Sequence, residues 1–230
     1  MQIAMHNALK GRRVLVMSLE MRDEELIQRA LCAEASVDSR RIRTGTYTDP
    51  DFDAIQAAQV KHDETPIRVY DASSSTVERL ASIARTENAR DRLSLIVVDY
   101  LQIIEATNAK HEREQQVSHQ TKRLKALAKE LRVPVICLSQ FNRDQEKQNR
   151  EPRLSDLRES GAIEQDADMV MALHRTGDGE AQIIVMKHRA GATGHVNVKW
   201  DAIKTTYSDP TELKTNNFNS PEPQWAGDWD

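Results

Sequence analysis

Three residues whose side chains could do chemistry each stand at the end of a short apolar run. The runs and their polar residues are 13–17 (RVLVM) with Glu20, 95–98 (LIVV) with Asp99, and 135–138 (VICL) with Gln140. Short runs that are rich in β-branched residues are typical of strands buried on both faces of a parallel sheet. Since ligands bind at the carboxyl ends of the strands in open α/β sheets, the three side chains define a candidate site.

The chemistry that suits this set is hydrolysis of a nucleoside triphosphate. A buried strand that ends in Asp is the Walker B pattern, so Asp99 would hold the Mg²⁺ of a bound nucleotide. Glu20 would orient or deprotonate the attacking water, and Gln140 would sense the γ-phosphate. Phosphoryl transfer needs positioning and charge neutralisation more than covalent help, so these are the parts it requires. Taken singly, each residue is more often a cap at a strand end, and only their occurrence together favours an ATPase.

An ATPase of this kind also needs a phosphate-binding loop, G-x-x-x-x-G-K-[S/T], that opens a helix after a strand. The sequence contains no Gly-Lys dipeptide. The loop would stand immediately before the short predicted helix at 2–10, which has neither an N-cap nor a strand ahead of it. We therefore expect the chain to be truncated relative to the fold it represents and to bind ATP poorly by itself.

The remaining patterns predict helices alternating with strands, followed by hairpins. Glycines near 176–179 and 191–194 separate the last three strands, which indicates antiparallel pairing. A capping box formed by Ser75 and Glu78 is expected to start the helix at 76–88. The fold class is α/β: a mostly parallel sheet flanked by helices, with an antiparallel hairpin extension near the C-terminus. The predicted helices are 2–10, 22–35, 50–62, 76–88 and 117–131, and the other predicted strands are 67–70, 168–173, 182–186 and 196–200.

Composition limits the class of protein. The 230 residues are 39% hydrophobic and 30% charged, which suits one domain of α/β size, here 1–207, with a tail at 208–230 that is expected to be disordered. The formal net charge of −4 means that any contact with nucleic acid must be local. Cys32 and Cys137 lack metal-ligand spacing and are expected to be buried thiols. No apolar run approaches the length of a membrane span, so a soluble, cytoplasmic protein without membrane contact is expected.

Five segments resemble the C-terminal motor domain of DnaB-like replicative helicases, the hexameric RecA-fold DNA helicases of bacteria and phages. The likeness covers about residues 2–207, and its most specific parts are the last two segments. The segments are 14–21 (VLVMSLEM), 41–45 (RIRTG), 95–102 (LIVVDYLQ), 124–143 (LKALAKELRVPVICLSQFNR) and 156–168 (DLRESGAIEQDAD).

The resemblance implies roles for the strand-end residues and for a basic pair. Glu20 matches the catalytic glutamate of the family, Asp99 its Walker B aspartate, and Gln140 the residue that couples nucleotide state to the DNA-binding loops. Lys187 and Arg189 match the pair that reaches the nucleotide of the neighbouring subunit, where a cation neutralises transition-state charge. A solvated hairpin edge is the alternative for this pair.

The resemblance also implies a DNA-contacting segment. Arg158, Glu159 and Gly161 match a loop that touches the backbone of single-stranded DNA in the central channel of the ring. Backbone contact of this kind is independent of base sequence. Arg143 lies in a long charged loop at 141–155, whose other basic residues, Lys147, Arg150 and Arg153, are equally explained as solvated side chains.

As a whole, the resemblance implies an ATP- and Mg²⁺-dependent helicase that acts on single-stranded DNA as a hexameric homo-oligomer, with a primase and a loader as partners. The first core strand and the phosphate loop of the family are absent. The chain is therefore expected to be a fragment that a complementing chain with the Walker A loop completes, a degenerate remnant, or a truncated sequence, and by itself it is not expected to unwind DNA. The alternatives are a non-catalytic RecA-fold oligomerisation or regulatory module, and a RecA-fold ATPase of recombination or clock systems, which the segments at 138–143 and 156–161 disfavour.

Overall fold

The computed structural model of the chain describes residues 1–107, 112–142, 150–157 and 160–210. Helices alternate with parallel strands as far as β4, and four antiparallel strands close the described chain. The helices are α1 (Gln2–Leu9), α2 (Asp23–Ala35), α3 (Ser39–Thr44), α4 (Asp49–Asp63), α5 (Val77–Arg90), α6 (Arg113–Leu131) and α7 (Ser160–Asp166). The strands are β1 (Val14–Ser18), β2 (Ile67–Asp71), β3 (Leu95–Asp99), β4 (Val135–Cys137), β5 (Met169–Arg175), β6 (Glu180–His188), β7 (Gly194–Asp201) and β8 (Thr206–Ser208). Two short 3₁₀ segments occupy Leu101–Ile103 and Leu154–Asp156.

The first four strands form a parallel sheet in the order β2-β1-β3-β4. The two central strands are buried on both faces, as their unbroken apolar runs predict. Alternate residues of β1 and β3 belong to two separate apolar clusters, one on each face of the sheet. Leu15, Met17, Ile96 and Val98 face α5 and α6, whereas the intervening residues face α1 and α2. The predicted helix-flanked parallel sheet is confirmed.

The last four strands form an antiparallel sheet in the order β5-β6-β7-β8. Gly179 adopts a φ of +78° in the turn between β5 and β6, a conformation that favours glycine. The guanidinium of Arg175 lies 4.3 Å from the ring centroid of Trp200 on β7. The predicted antiparallel extension is confirmed, and among the described residues it is a sheet of its own.

The sequence patterns do not predict α7. This helix lies within the 156–168 segment, and its two apolar residues, Ala162 and Ile163, are both buried in the cluster that α5 and α6 cover. Seven residues with adjacent apolar positions show no helical periodicity. α6 also begins earlier than its apolar pattern predicts, at Arg113, because the turn before its first buried residue, Val117, faces solvent.

The predicted capping box at Ser75 and Glu78 is wrong by one residue. Thr76 is the N-cap of α5, and its hydroxyl accepts a hydrogen bond from the backbone N–H of Arg79 at 3.4 Å. Ser75 is buried, and its carbonyl accepts from the backbone N–H of Glu105 at 3.0 Å. Consecutive hydroxyl residues at 73–76 offer several possible caps, and packing selects the last.

Both cysteines are free thiols. Cys32 is buried as expected, whereas Cys137 is half-buried, and desolvation of its thiol raises the pKa to about 12. Within the described ranges, no helix has the length and apolar character needed to cross a membrane. Residues 211–230, which make up most of the predicted tail, lie outside the described residues.

Candidate active site at the strand ends

The ends of β1 and β3 form the centre of the candidate site. The two strands pair in parallel with Ser18 opposite Asp99, and the backbone N–H of Leu19 donates to the Asp99 carbonyl at 2.8 Å. The buried hydroxyl of Ser18 donates to the Met21 carbonyl at 2.6 Å and accepts from the Met21 N–H at 3.2 Å. This turn fixes the chain on both sides of Glu20 and so places that residue beside the end of β3.

Asp99 is half-buried and lies within electrostatic range of Glu20. Burial raises the pKa of Asp99, and the charge of Glu20 raises it further, while the N-terminal amino group and Arg29 oppose the rise. Among the described residues, no side chain or backbone group donates a hydrogen bond to the Asp99 carboxylate. A cation would relieve both the repulsion and the lack of donors.

Magnesium fits this arrangement. It binds proteins through one or two carboxylates together with phosphate oxygens, and rarely through a complete protein cage. The described residues contain no group of three or more His, Cys, Asp or Glu side chains that could hold a metal. A Mg²⁺ ion at Asp99 would therefore take its remaining ligands from a nucleotide and from water.

The N-terminal end of α1 lies near Asp99. Burial lowers the pKa of the Met1 amino group, and the negative charge of Asp99 opposes this shift. Ala4 and Ala8 pack α1 against the side chains of β1 and β3. Because helix N-termini attract anions, this end of α1 is placed where a phosphate group could approach the strand ends.

Gln140 lies three residues beyond the end of β4, and its side chain is exposed. Its backbone N–H donates to Oε1 of Gln102 at 3.2 Å, while Nε2 of Gln102 donates to the hydroxyl of Ser139 at 2.8 Å. Gln102 thus connects the segment after β3 to the segment after β4. The sequence prediction assigns Gln102 no role, although it is a polar residue among the apolar neighbours Leu101 and Ile103.

The structure does not bring the basic pair to the strand ends. Lys187 Nζ donates to the carbonyls of Glu164 and, at 2.8 Å, of Ala167. Arg189 donates to the Asp168 carboxylate at 3.1 Å and to the Gln165 carbonyl at 3.3 Å. Their side-chain hydrogen-bond partners among the described residues all lie at 164–168, around the C-terminal end of α7. Cations are favoured at this end of a helix, where carbonyls lack partners.

The predicted DNA-contacting residues are only partly described. Gly161 lies exposed in the first turn of α7. Arg143, Arg158 and Glu159 lie outside the described residues. Their roles in DNA binding stay predictions.

One of the other basic candidates has a structural partner. The two terminal nitrogens of Arg150 donate to the two carboxylate oxygens of Asp156 at 2.7 and 2.6 Å. The backbone N–H of Arg153 donates to the same carboxylate at 2.7 Å. These bonds lower the pKa of Asp156 to about 2. Arg150 therefore helps to hold the 3₁₀ segment at Leu154–Asp156. This structural contact distinguishes it from a purely solvated side chain.

Comparison with known proteins shows which families and proteins the chain is similar to. A sequence profile of the family described as "DnaB-like helicase C terminal domain" matches residues 1–209. The "Replicative DNA helicase DnaB" of Leifsonia xyli subsp. xyli is 40% identical over 201 residues, which cover 84% of this chain and 44% of that protein. The protein of the same name from Geobacillus stearothermophilus is 38% identical over 209 residues, which cover 86% of this chain and 46% of that protein. The chain spans less than half the length of these curated relatives.

Two of the similar solved structures illustrate the shared fold. One, described as an "ATPase Domain", superposes with a TM-score of 0.85 and 29% identity, covering 90% of this chain and 78% of that one. A structure described as "The Structure Of A DnaB-Like Replicative Helicase And Its Interactions With Primase" has a TM-score of 0.84 and 29% identity, covering 90% of this chain and 52% of that one. The expected RecA-like fold is confirmed. The chain belongs to the DnaB-like helicase C-terminal domain family.

Proposed function

We propose that the chain is the motor domain of a replicative DNA helicase, which couples ATP hydrolysis to translocation on single-stranded DNA and to duplex unwinding. The observation that carries this proposal is the pair of carboxylates, Glu20 just after β1 and Asp99 at the end of the adjacent parallel strand β3, with Asp99 close to the N-terminal end of α1. The family membership and the relatives named as replicative helicases support it.

In this proposal the strand-end residues divide the work of phosphoryl transfer. Asp99 holds Mg²⁺, which when bound neutralises charge on the phosphate oxygens. Glu20, on the exposed turn after β1, orients the attacking water and takes its proton. Gln140 reaches the γ-phosphate, and the hydrogen bonds through Gln102 keep its backbone in register with the end of β3.

The proposal assigns DNA and a neighbouring subunit to the other predicted residues. Arg158, Glu159 and Gly161 contact the backbone of single-stranded DNA, with Arg143 as a further basic contact. Lys187 and Arg189 reach the nucleotide of the next subunit in a homo-oligomeric, hexameric ring. A primase and a loader are proposed partners, and one structural neighbour concerns interactions with primase. A cytoplasmic location is part of the same proposal.

The phosphate-binding loop is proposed to lie on a segment outside these 230 residues, upstream in the same polypeptide or on a complementing chain. The sequence contains no Gly-Lys dipeptide, and the loop's backbone N–H groups and lysine supply most of the binding of the β- and γ-phosphates. Without that segment the chain binds ATP poorly and does not unwind DNA.

The test measures ATPase rate with and without single-stranded DNA, for the 230-residue chain and for a polypeptide extended by its upstream coding sequence. We expect background turnover for the former and DNA-stimulated turnover for the latter. In the extended polypeptide, Glu20→Gln should lower the ATPase turnover by about 10²–10⁴-fold, which is the usual contribution of a general base. Robust turnover by the 230 residues alone, abolished by Glu20→Gln, would show that the phosphate loop is dispensable.

A non-catalytic oligomerisation or regulatory module is the second candidate, which the missing Gly-Lys dipeptide keeps open, whereas the retained Glu20, Asp99 and Gln140 favour the helicase. An extended polypeptide that still lacks ATPase activity, yet forms rings, would establish this candidate instead.

A further inference from the structure

α7 has a different proposed contact at each end. Its first turn contains Gly161, which belongs to the predicted DNA-contacting segment. Its last turn and the residues after it accept hydrogen bonds from Lys187 and Arg189, the pair proposed to reach a neighbouring nucleotide. Seven helical residues span only about 10 Å, so the two ends cannot move independently.

Asp168 lies where α7, α6 and the end of β6 meet. Its carboxylate accepts from Nη1 of Arg189 at 3.1 Å through one oxygen and from Nζ of Lys125, on α6, through the other. Its backbone carbonyl accepts from the N–H of Arg189 at 2.8 Å. Lys125, and to a smaller extent Arg189, hold the pKa of this carboxyl below its usual value. One side chain therefore ties three elements together, although it is 61% exposed.

The basic pair keeps donors for another ligand. A guanidinium has five N–H groups, and the side chain of Arg189 directs two to Asp168 and Gln165 within the described structure. An ammonium has three, and Lys187 directs two to the carbonyls of Glu164 and Ala167. Arg189 is 55% exposed. The contacts with α7 thus fix the position of Arg189, while part of its guanidinium group still faces solvent. Recognition of a phosphate requires such an exposed guanidinium.

We propose that Asp168 is a positioning residue, which locks Arg189 to the C-terminal end of α7 and thereby makes the neighbouring-nucleotide contact and the DNA contact move as one unit. This inference rests on the proposed function, because that function supplies both contacts. The carboxylate itself touches neither DNA nor nucleotide. It acts through Arg189, Lys125 and the helix between them.

The test compares Asp168→Ala and Asp168→Asn with Asp178→Ala. Asp178 is exposed in the turn between β5 and β6, and its replacement changes the net charge by the same amount. Two quantities are measured on the full 230-residue chain: the dissociation constant for a fluorescently labelled oligo(dT), and amide hydrogen exchange of α7. Circular dichroism checks that each variant is folded, and the isosteric Asp168→Asn serves if Asp168→Ala is not.

The sign of the DNA effect separates positioning from simple electrostatics. Removal of a negative charge favours binding of a polyanion, so Asp178→Ala should bind the oligonucleotide equally or more tightly. Loss of a positioning carboxylate should weaken binding about threefold and speed exchange of α7 by a similar factor, the size expected for exposed ion pairs. Asp168→Glu keeps the carboxylate, so it should recover part of the affinity for the oligonucleotide and part of the slow exchange of α7.

Tighter or equal DNA binding by the folded Asp168 variants would overturn the positioning role, as would α7 exchange that matches Asp178→Ala. A wild-type chain that binds no single-stranded DNA would instead contradict the proposed function, and the exchange measurement would still decide whether Asp168 holds α7.

Discussion

Asp99 carries a folding cost because its carboxylate is half-buried, faces the charge of Glu20 and accepts no hydrogen bond from the described residues. Its folded-state pKa lies above the value in the unfolded chain, so ionisation of Asp99 destabilises the fold as pH rises through these two values. Carboxyl groups with a pKa raised in this way cluster at functional sites, where the charge serves a ligand.

Asp99→Asn is therefore expected to raise the melting temperature at pH 7 by a few degrees and, in the polypeptide extended upstream, to remove Mg²⁺-dependent nucleotide binding. The neutral amide avoids both desolvation of a charge and repulsion by Glu20. The gain should shrink at acidic pH, because the wild-type carboxyl is then neutral as well. Thermal unfolding at several pH values checks the prediction. Glu20→Gln, which removes only the repulsion, should give a smaller gain, and a loss of stability for Asp99→Asn at pH 7 would contradict it.

At the scale of elements, the 3₁₀ segment at Leu154–Asp156 shows how one ion pair orders a connection. Asp156 is buried, and it receives two bonds from Arg150 and one from the backbone of Arg153. Its carbonyl also accepts from the N–H of Asn142 at 2.8 Å. The carboxylate thus holds the chain that leads into the predicted DNA-contacting segment.

Asp156→Asn should destabilise the fold at pH 7 by about 1–2 kcal/mol, the worth of charge-assisted hydrogen bonds that are partly exposed. The folded pKa of about 2 lies below the ordinary aspartate value, so the stabilisation is complete above about pH 4 and is lost as pH falls through about 2. Urea unfolding between pH 7 and pH 3 checks this. Asp53→Asn, on the exposed side of α4, is the matched control and should have little effect.

Elements whose buried faces show up as a local apolar pattern can be predicted from the sequence. The apolar runs of β1 and β3 predict central strands, and the charge of Glu20 acts on Asp99 at the carboxyl end of β3. α7 was not predictable, because its stability comes from core contacts of Ala162 and Ile163 and from cations at the end of β6, which are distant in sequence. Gln102 was missed for the same reason, since its role depends on the neighbouring segment after β4.

At the scale of the whole molecule, a net charge of −4 restricts where a polyanion can bind. Attraction to DNA must come from a local group of cations, because the surface as a whole repels it. A helicase motor needs such a local contact and no base readout, which agrees with the proposed backbone contact.

Arg158→Ala should accordingly weaken binding of single-stranded oligonucleotides about equally for all base sequences, and it should reduce the slope of log affinity against log salt by about 1. Fluorescence anisotropy with oligo(dT), oligo(dA) and a mixed sequence over a salt series measures both. Arg68→Ala, an exposed arginine on β2, is the control for a general change of charge. A loss confined to one base composition would rule out backbone recognition.

The face of the sheet that α1 covers determines where a strand joined to the start of α1 would lie. α5 and α6 lie on one face and carry the chain from β2 to β3 and from β3 to β4, whereas α2 lies on the other face and carries it the opposite way, from β1 towards β2. α1 shares the face of α2 and leads into β1. Because parallel connections are right-handed, a strand joined to the start of α1 must approach from the β3 side. β3 and β4 already pair with each other, so such a strand has its place along the outer edge of β4.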